Sequence, residues 1–502
     1  MQKKKLTLVI VSLLVVVLSV SLAYFTAQII GKGKVVSVTS ANLQIVFTDS
    51  DGALTETDIE PGWSATKTFT VQNNSKSEYK YNIVIKDLLN TFVTNGYLKY
   101  KITSTNDGYN MTEFKDIPKS STPKDKVLAY SVVIPNGVTQ SYTIEFKYAN
   151  DESVDQSDDM GKKLSGTLFI TEGTEDPNKT LYNQLLVDKS TKLTRTDFSK
   201  VLTDNNTKTL YTSTENGTTV YYFAGNATDN WVKFGKNESN QDLYWRIIRT
   251  NSDGGVRLLY HGTSTTATDA VINTSTAFNS TYNNPMYVGY MYGTSGSLVN
   301  NRTNTNNSTI KGIIDTWYAS NLEAKGYTKY LSTTAVYCND RSVTNGTYST
   351  SSSFKYAAYT RLVINKTPSY DCAATEDKFT ADTSTGNGKL KYPIALMTAD
   401  EVSFAGGLYG TNAPTWYYKN SANGSSTGST WWWLLSPFDW RGGYAYVFRV
   451  YGSSHPGYLS DYYVIDAYGV RPAVSLKSCI KYSTGNGSAS DPYTIKETTS
   501  GC

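Results

Sequence analysis

Residues 431–476 read WWWLLSPFDWRGGYAYVFRVYGSSHPGYLSDYYVIDAYGVRPAVSL. The stretch is crowded with Tyr, Trp, Arg, Asp, Ser and Gly. It contains no Lys, Glu, Gln, Met or Asn, although Lys and Asn are plentiful elsewhere in the chain. Tyr and Trp supply large, rigid, amphipathic contact area at low entropic cost, while Ser and Gly add adaptable hydrogen bonding. That chemistry suits a recognition surface better than a catalytic pocket. Aromatic residues also favour pleated, half-buried strands, so the same composition fits ordinary strands of a β-rich domain. Successive side chains of a strand point to opposite faces. Only part of the stretch can therefore meet solvent, and some of its tyrosines belong in a core.

The rest of the chain frames this stretch. At 502 residues it holds two or three domains, each long enough to bury its own core. Charged residues are 18% and the net charge is +4, which lacks the clustered basic face that a nucleic-acid partner needs. Lys3, Lys4 and Lys5 precede an apolar run from Leu6 to Phe25. A positive start followed by an apolar run directs export, and this run is just long enough to span a bilayer. Cleavage after Ser21-Leu22-Ala23 would release the protein. Retention would leave a single anchor with the lysines inside, and the anchor is the preferred reading. Four cysteines in an exported chain suggest two disulfides. Three connectivities are open, and Cys338–Cys372 with Cys479–Cys502 is favoured because each closes a local loop.

After the segment 1–34, residues 35–172 predict an all-β domain. Short apolar runs at 43–47, 66–71, 79–85, 98–103, 127–134, 140–148 and 166–171 alternate with turn signals such as Pro61-Gly62, Asn95-Gly96 and Pro135-Asn136-Gly137. Seven strands at this spacing suggest an Ig-like or jelly-roll sandwich. The acidic stretches Asp49–Gly52 and Asp151–Asp159 lack the ligand pattern of a calcium loop and read as turns. A linker at 173–180 leads into residues 181–480. A helix is expected from Leu181, and a hairpin at 242–249 and 256–260. Ile310, Ile313, Ile314, Trp317, Tyr318 and Leu322 keep helical spacing, with Ser308 capping the start and Gly326 the end. Thr398 and Glu401 form a capping box ahead of a second helix. The stretches 341–353 and 421–430 read as polar loops. A last strand at 493–496 and a tail close residues 481–502. The fold class is α+β, an all-β sandwich followed by an α+β domain.

The sequence offers few parts for catalysis. His261 and His455 are the only histidines and both read as loop residues. No metal-ligand spacing or phosphate-binding glycine loop is present. We expect no enzyme activity, no cofactor and no metal.

Several signatures in the second half carry a family resemblance. They are YYFAGNATDNWVKFGKN (221–237), DLYWRIIRTNSDGGVRLLY (242–260), STIKGIIDTWYASNL (308–322), YCNDR (337–341), YPIALMTADEVSFAGG (392–407), WWWLLSP (431–437) and YGVRPAVSL (468–476). Together they resemble uncharacterised extracellular domains of gut Firmicutes, related to the C-type-lectin fold in the form used by formylglycine-generating enzymes. The first domain is similar to exported β-sandwich domains of bacterial camelysin and biofilm-fibre proteins, on the pattern ANLQIVF … IEPGWSATKTFTVQN … YKYNIVIKD. The lectin-like resemblance implies a structural role for Trp432, Leu434, Pro437, Val470 and Pro472, with an exposed binding surface between them. Some members of the wider fold are variable proteins of diversity-generating retroelements. Their randomised codons cannot encode Lys, Glu, Gln, Met or Trp, and residues 436–476 lack the first four and contain only Trp440 of the fifth. The catalytic cysteine pair of the oxidases and the calcium-and-sugar motifs of true lectins are absent.

The expected ligand-binding residues are Asp439, Trp440, Arg441, Tyr444, Tyr446, Arg449, Tyr451, Ser453, Ser454, His455, Tyr458, Asp461, Tyr462, Tyr463 and Asp466, with Tyr, Trp and Arg as anchors. The expected function is an exported surface protein whose β-sandwich stalk carries a head that binds an extracellular protein or glycan. The alternatives are a structural wall or fibre component, and an enzyme related to formylglycine-generating oxidases. On the binding reading, changing Arg441, Tyr451 and Tyr458 together to Ala should abolish binding and leave stability intact.

Overall fold

The computed structural model describes residues 35–40, 43–49, 54–56, 59–111, 113–204, 206–268, 270–418 and 429–502. The apolar run 6–25, the acidic turn beyond Asp49 and most of the loop 421–430 lie outside them. Among the described residues no helix is long and apolar enough to cross a membrane. Strands take 39% and helices 13%, which makes this a β-rich α+β protein. The chain divides into two compact units, before and after Pro177.

The first unit contains two sheets. In one, the strands run in the order Val35–Ser40, Leu43–Asp49, Ser64–Asn73, Thr139–Tyr148, Leu98–Ser104 and Lys115–Asp116. In the other, the order is Leu54–Glu56, Leu164–Glu172, Tyr79–Asn90 and Ser120–Ile134. The strand Thr139–Tyr148 shows why the sequence folds this way. Its residues alternate, and Gln140, Tyr142, Ile144, Phe146 and Tyr148 are all buried. Tyr142, Ile144, Phe146 and Tyr148 meet Ile83, Ile85, Leu168 and Ile170 of the other sheet in a single core. The acids of 151–159 serve the loops. Asp159 accepts hydrogen bonds from the Val93 and Thr94 amides and from the Tyr148 hydroxyl, and Asp151 accepts from Ser153 and Tyr97.

The second unit is built on a ten-stranded and a seven-stranded sheet with a few short helices. The predicted hairpin forms the strands Asp242–Thr250 and Val256–Tyr260 of the larger sheet. Helix Thr309–Tyr318 starts at Ser308, whose side chain accepts from the Lys311 amide. It runs on into a wider turn, Ala319–Glu323, and Gly326 follows with φ of 75°. Ile310, Ile314, Tyr318 and Leu322 are buried on one face, while Ile313 and Trp317 stay half-buried. Thr398 and Glu401 form the expected capping box of helix Ala399–Phe404. The disulfides are Cys338–Cys372 and Cys479–Cys502, spanning 34 and 23 residues.

The last strand, expected at 493–496, forms at Tyr493–Ile495, and Tyr482–Thr484 pairs with it in the ten-stranded sheet. Tyr493 pairs with Val232, and its ring joins the core of the second unit. One expectation changes, because the stretch 341–353 is not simply a polar loop. Arg341 is fully buried, donates to Asp377, and bonds the Met291 carbonyl and Asn304 as well. A guanidinium offers five donors in a fixed fork, so one side chain ties several loops together.

Candidate ligand-binding surface

The stretch 431–476 folds as four strands of the seven-stranded sheet and one of the other. Strand Trp432–Arg441 turns back at Gly442-Gly443 into strand Tyr444–Val450, with Arg441 opposite Tyr444. Both turn glycines have positive φ, 59° and 80°. A two-residue turn of that hand matches the strand twist, and it needs residues free of a Cβ penalty. Strand Leu459–Tyr463 pairs next, in regular register from Tyr446 with Tyr463 to Val450 with Leu459. Strand Ala467–Val470 lies beside Trp432. Strand Pro472–Leu476 belongs to the ten-stranded sheet, against Val256–Leu259 and Ile394–Leu396. Trp432, Leu434, Pro437, Val470 and Pro472 are all buried, as a structural role requires.

Alternation along strands Tyr444–Val450 and Leu459–Tyr463 sorts the chemistry onto two faces. One face carries a charged cluster. Asp439 is 0% exposed and pairs with Lys355 at 2.5 Å and Arg441 at 2.7 Å. Arg441 also reaches Asp461 at 2.6 Å, and Asp461 accepts from the Tyr409 hydroxyl at 2.6 Å. The Arg441 guanidinium lies over the Tyr446 ring at 3.8 Å. Burial pushes the Asp439 carboxyl up from its ordinary value, against the pull of Lys355 and Arg441. Burial would lower Arg441, but Asp439 and Asp461 outweigh it and hold the guanidinium above its usual range. The cation is thus held in its charged form with part of its side chain in solvent.

The other face carries Arg449, which is 1% exposed. Its guanidinium sits 4.1–4.6 Å from the ring centres of Trp431, Tyr451, Tyr462 and Tyr468. It donates to the Tyr451 hydroxyl, while Nε and Nη1 have no hydrogen-bond partner. No carboxylate pairs with it among the described residues, so the ring faces are its principal counter-charge. Around both faces the tyrosines lean on one another. Tyr282 stacks on Tyr444 at 4.6 Å, and Tyr463 touches Tyr444, Tyr446 and Tyr462 at 4.7–5.0 Å. His455 sits in the turn between Tyr451 and Tyr458, in edge contact with both.

The expected contact residues therefore separate. Tyr444, Ser453, Ser454 and His455 are exposed, and Arg441, Tyr451, Tyr458, Tyr462, Tyr463 and Asp466 are half-buried. Asp439, Trp440, Tyr446, Arg449 and Asp461 are buried, contrary to the solvent-facing position expected of them. Each has a local cause. Trp440 lies opposite Phe354 and Ala445, on a strand covered on both edges. Asp439 and Asp461 pin Arg441, Tyr446 lies beneath that guanidinium, and Arg449 is enclosed by rings. These five position the surface rather than form it. Residues that sequence reading missed are Tyr282, Lys355, Tyr409, Trp431 and Tyr468. The first three lie far away in the chain and carry no local signal. Trp431 and Tyr468 stood inside the quoted stretch but flank its predicted patch.

His261 is buried, with Nδ1 3.1 Å from Arg471 and its ring edge-on to Trp231. Burial and the two nearby arginines push it well below the ordinary histidine range, so it stays neutral. Among the described residues no group of three His, Cys, Asp or Glu side chains is placed to hold a metal ion.

Tyr444 is 37% exposed and is held mainly by neighbouring rings. Tyr444→Ala is expected to change stability by less than about 1 kcal/mol in urea unfolding. A larger loss would mean that the ring is part of the core.

No protein-family model matches the chain, and no curated protein does. Among solved structures, a chain described as AvmM, which catalyses macrocyclization in alchivemycin A biosynthesis, is similar over 29% of this chain and 98% of its own. The identity is 10% and the TM-score 0.15, a likeness too slight to carry an argument about fold or chemistry.

Proposed function

We propose that the chain is an exported surface protein whose second unit, of the C-type-lectin and formylglycine-generating-enzyme-like fold, binds a protein or glycan through the exposed side of the 441–468 hairpins. The first unit would be an Ig-like or jelly-roll sandwich of the camelysin kind, and residues 1–34 an export signal or anchor. One observation carries the reading. At the surface Tyr282, Tyr444 and Tyr463 lean on one another, beside the Arg441 guanidinium that Asp439 and Asp461 lock from below. Rigid aromatic area with a fixed guanidinium beside it is what interface hot spots are made of. A surface in which buried residues fix the scaffold and exposed ones vary also suits sequence diversification within 436–476.

The test is a binding screen of the purified chain against glycan arrays and intact bacterial and host cells. Saturable binding to one surface class supports the reading. A concentration-dependent sedimentation shift with no binding to any other surface would favour a self-packing fibre component instead. Diversification has its own check in the gene's 3′ end across many isolates. Substitutions should gather at Tyr444, Ser453, Ser454, His455, Tyr458 and Tyr463 and spare Asp439, Arg449 and Asp461.

A further inference from the structure

Lys189 follows helix Leu181–Asp188, and Asp229 precedes strand Trp231–Lys236. Their side chains meet inside the second unit, 1% and 8% exposed, with Nζ 2.8 Å from Oδ2. Lysine and aspartate are seldom buried this deeply. The Lys189 ammonium also donates to the Asn486 carbonyl at 3.2 Å. The rings of Phe223 and Tyr493 lie 5.9 Å and 5.3 Å from Nζ. The Asp229 carboxylate is unevenly used. Its Oδ2 accepts from Lys189 and from the Lys208 amide, both at 2.8 Å, whereas Oδ1 is buried and has no hydrogen-bond partner.

A carboxylate oxygen buried without a partner is costly. A lysine amine beside a carboxyl carbon is also a nucleophile beside an electrophile. An ion pair this close puts the two near the roughly 3–3.5 Å from which attack begins. The surroundings match the product of that attack atom by atom. Oδ2 would become an amide oxygen and keep the Lys208 N–H, a donor that also stabilises negative charge on Oδ2 during the addition. The one hydrogen left on Nζ would keep the Asn486 carbonyl. The unpartnered Oδ1 would be the atom that leaves.

We infer that Lys189 and Asp229 join without an enzyme in an amide bond between Nζ and Cγ. The ammonium passes one proton to the carboxylate, and the freed amine adds to Cγ. A second proton moves from nitrogen to Oδ1, the Cγ–Oδ1 bond breaks, and one water leaves. Every atom comes from the pair itself, so no oxidant, cofactor or other protein is required. The Phe223 and Tyr493 rings keep bulk water from reversing the step. The Lys355–Asp439 pair differs, because its lysine reaches solvent and Arg441 shares the carboxylate. The bond would close the chain between residues 189 and 229 covalently, which constrains the unfolded state as a disulfide does. The assignment is independent of the hairpin surface.

The test is mass spectrometry of the purified full-length chain with its disulfides reduced. The intact mass should fall short of the sequence mass by one water. Digestion should release a branched peptide that holds both Lys189 and Asp229. Lys189→Arg should carry its full mass, because a guanidinium stays protonated and does not attack. The wild type decides even if that variant fails to fold. A full wild-type mass, or separate linear peptides with Lys189 and Asp229 unmodified, would overturn the assignment and leave a buried ion pair. A water still missing from Lys189→Arg would place the loss elsewhere in the chain and overturn it equally.

Discussion

Glu401→Ala is expected to destabilise the chain by about 3–5 kcal/mol, read as a fall in the urea midpoint with an unchanged slope. Glu401 is buried, and its Oε1 accepts from Arg249 at 3.1 Å and from Arg257 at 2.8 Å. Its Oε2 accepts from the Thr398 amide at 3.0 Å and completes the capping box. Alanine would therefore leave two guanidiniums short of a counter-charge inside the protein and remove a helix cap at the same time. The loss is not total, because Arg249 keeps Glu215 and Arg257 keeps the Val336 carbonyl. Glu401→Gln retains the shape and should cost less than alanine. A loss under about 1 kcal/mol for Glu401→Ala would mean that the carboxylate is not the hub of this network.

The same network should make the second unit acid-sensitive. Burial alone would raise the Glu215 carboxyl, but the charge and hydrogen bond of Arg249, the charge of Arg257 and the Ser252 amide outweigh it and bring it to about 2. Glu401 is lowered in the same direction by the same arginines, against its own burial. A carboxyl depressed on folding contributes stability above its unfolded value, near 4.5, and that contribution is lost as the pH falls toward its folded one. Glu215 alone accounts for about 3 kcal/mol on this reckoning, to order of magnitude. Asp439 works the other way, because burial raises its carboxyl and protonation relieves part of its cost. Urea unfolding between about pH 6 and pH 2 should show stability falling below about pH 4.5, with a flatter profile for Glu215→Gln. A pH-independent wild type would contradict the ion-pair arrangement.

Much of the fold was legible where a local rule was strong. Thr139–Tyr148 alternates cleanly and became a strand with every second residue buried. Thr398 with Glu401 is a capping box in sequence and in space. Other features depend on partners far along the chain. Arg341 looked like the start of a polar loop, and partners distant in sequence, Asp377, Asn304 and the Met291 carbonyl, explain its burial. The candidate site shows the same division. The glycine pair 442–443 marks the hairpin, and alternation warned that two faces exist. It did not tell which residues of each face are enclosed, because Lys355, Tyr409 and Tyr282 supply part of the cover from elsewhere.

That division also changes the sensible mutant. Arg441 holds Asp439 and Asp461, and Tyr451 walls in Arg449. Changing Arg441, Tyr451 and Tyr458 together would disturb buried charge as well as surface, so lost binding would be ambiguous. Tyr444 and Tyr463 are better targets, being held by other rings at the rim.

The most direct measurement is the affinity of the Tyr444→Ser, Tyr463→Ser double variant for the surface or glycan that the wild type binds, with melting curves of both proteins alongside. Recognition through the hairpin face predicts a loss of at least about tenfold with melting temperatures within a few degrees. Unchanged affinity in a folded double variant would contradict it and place the binding surface elsewhere.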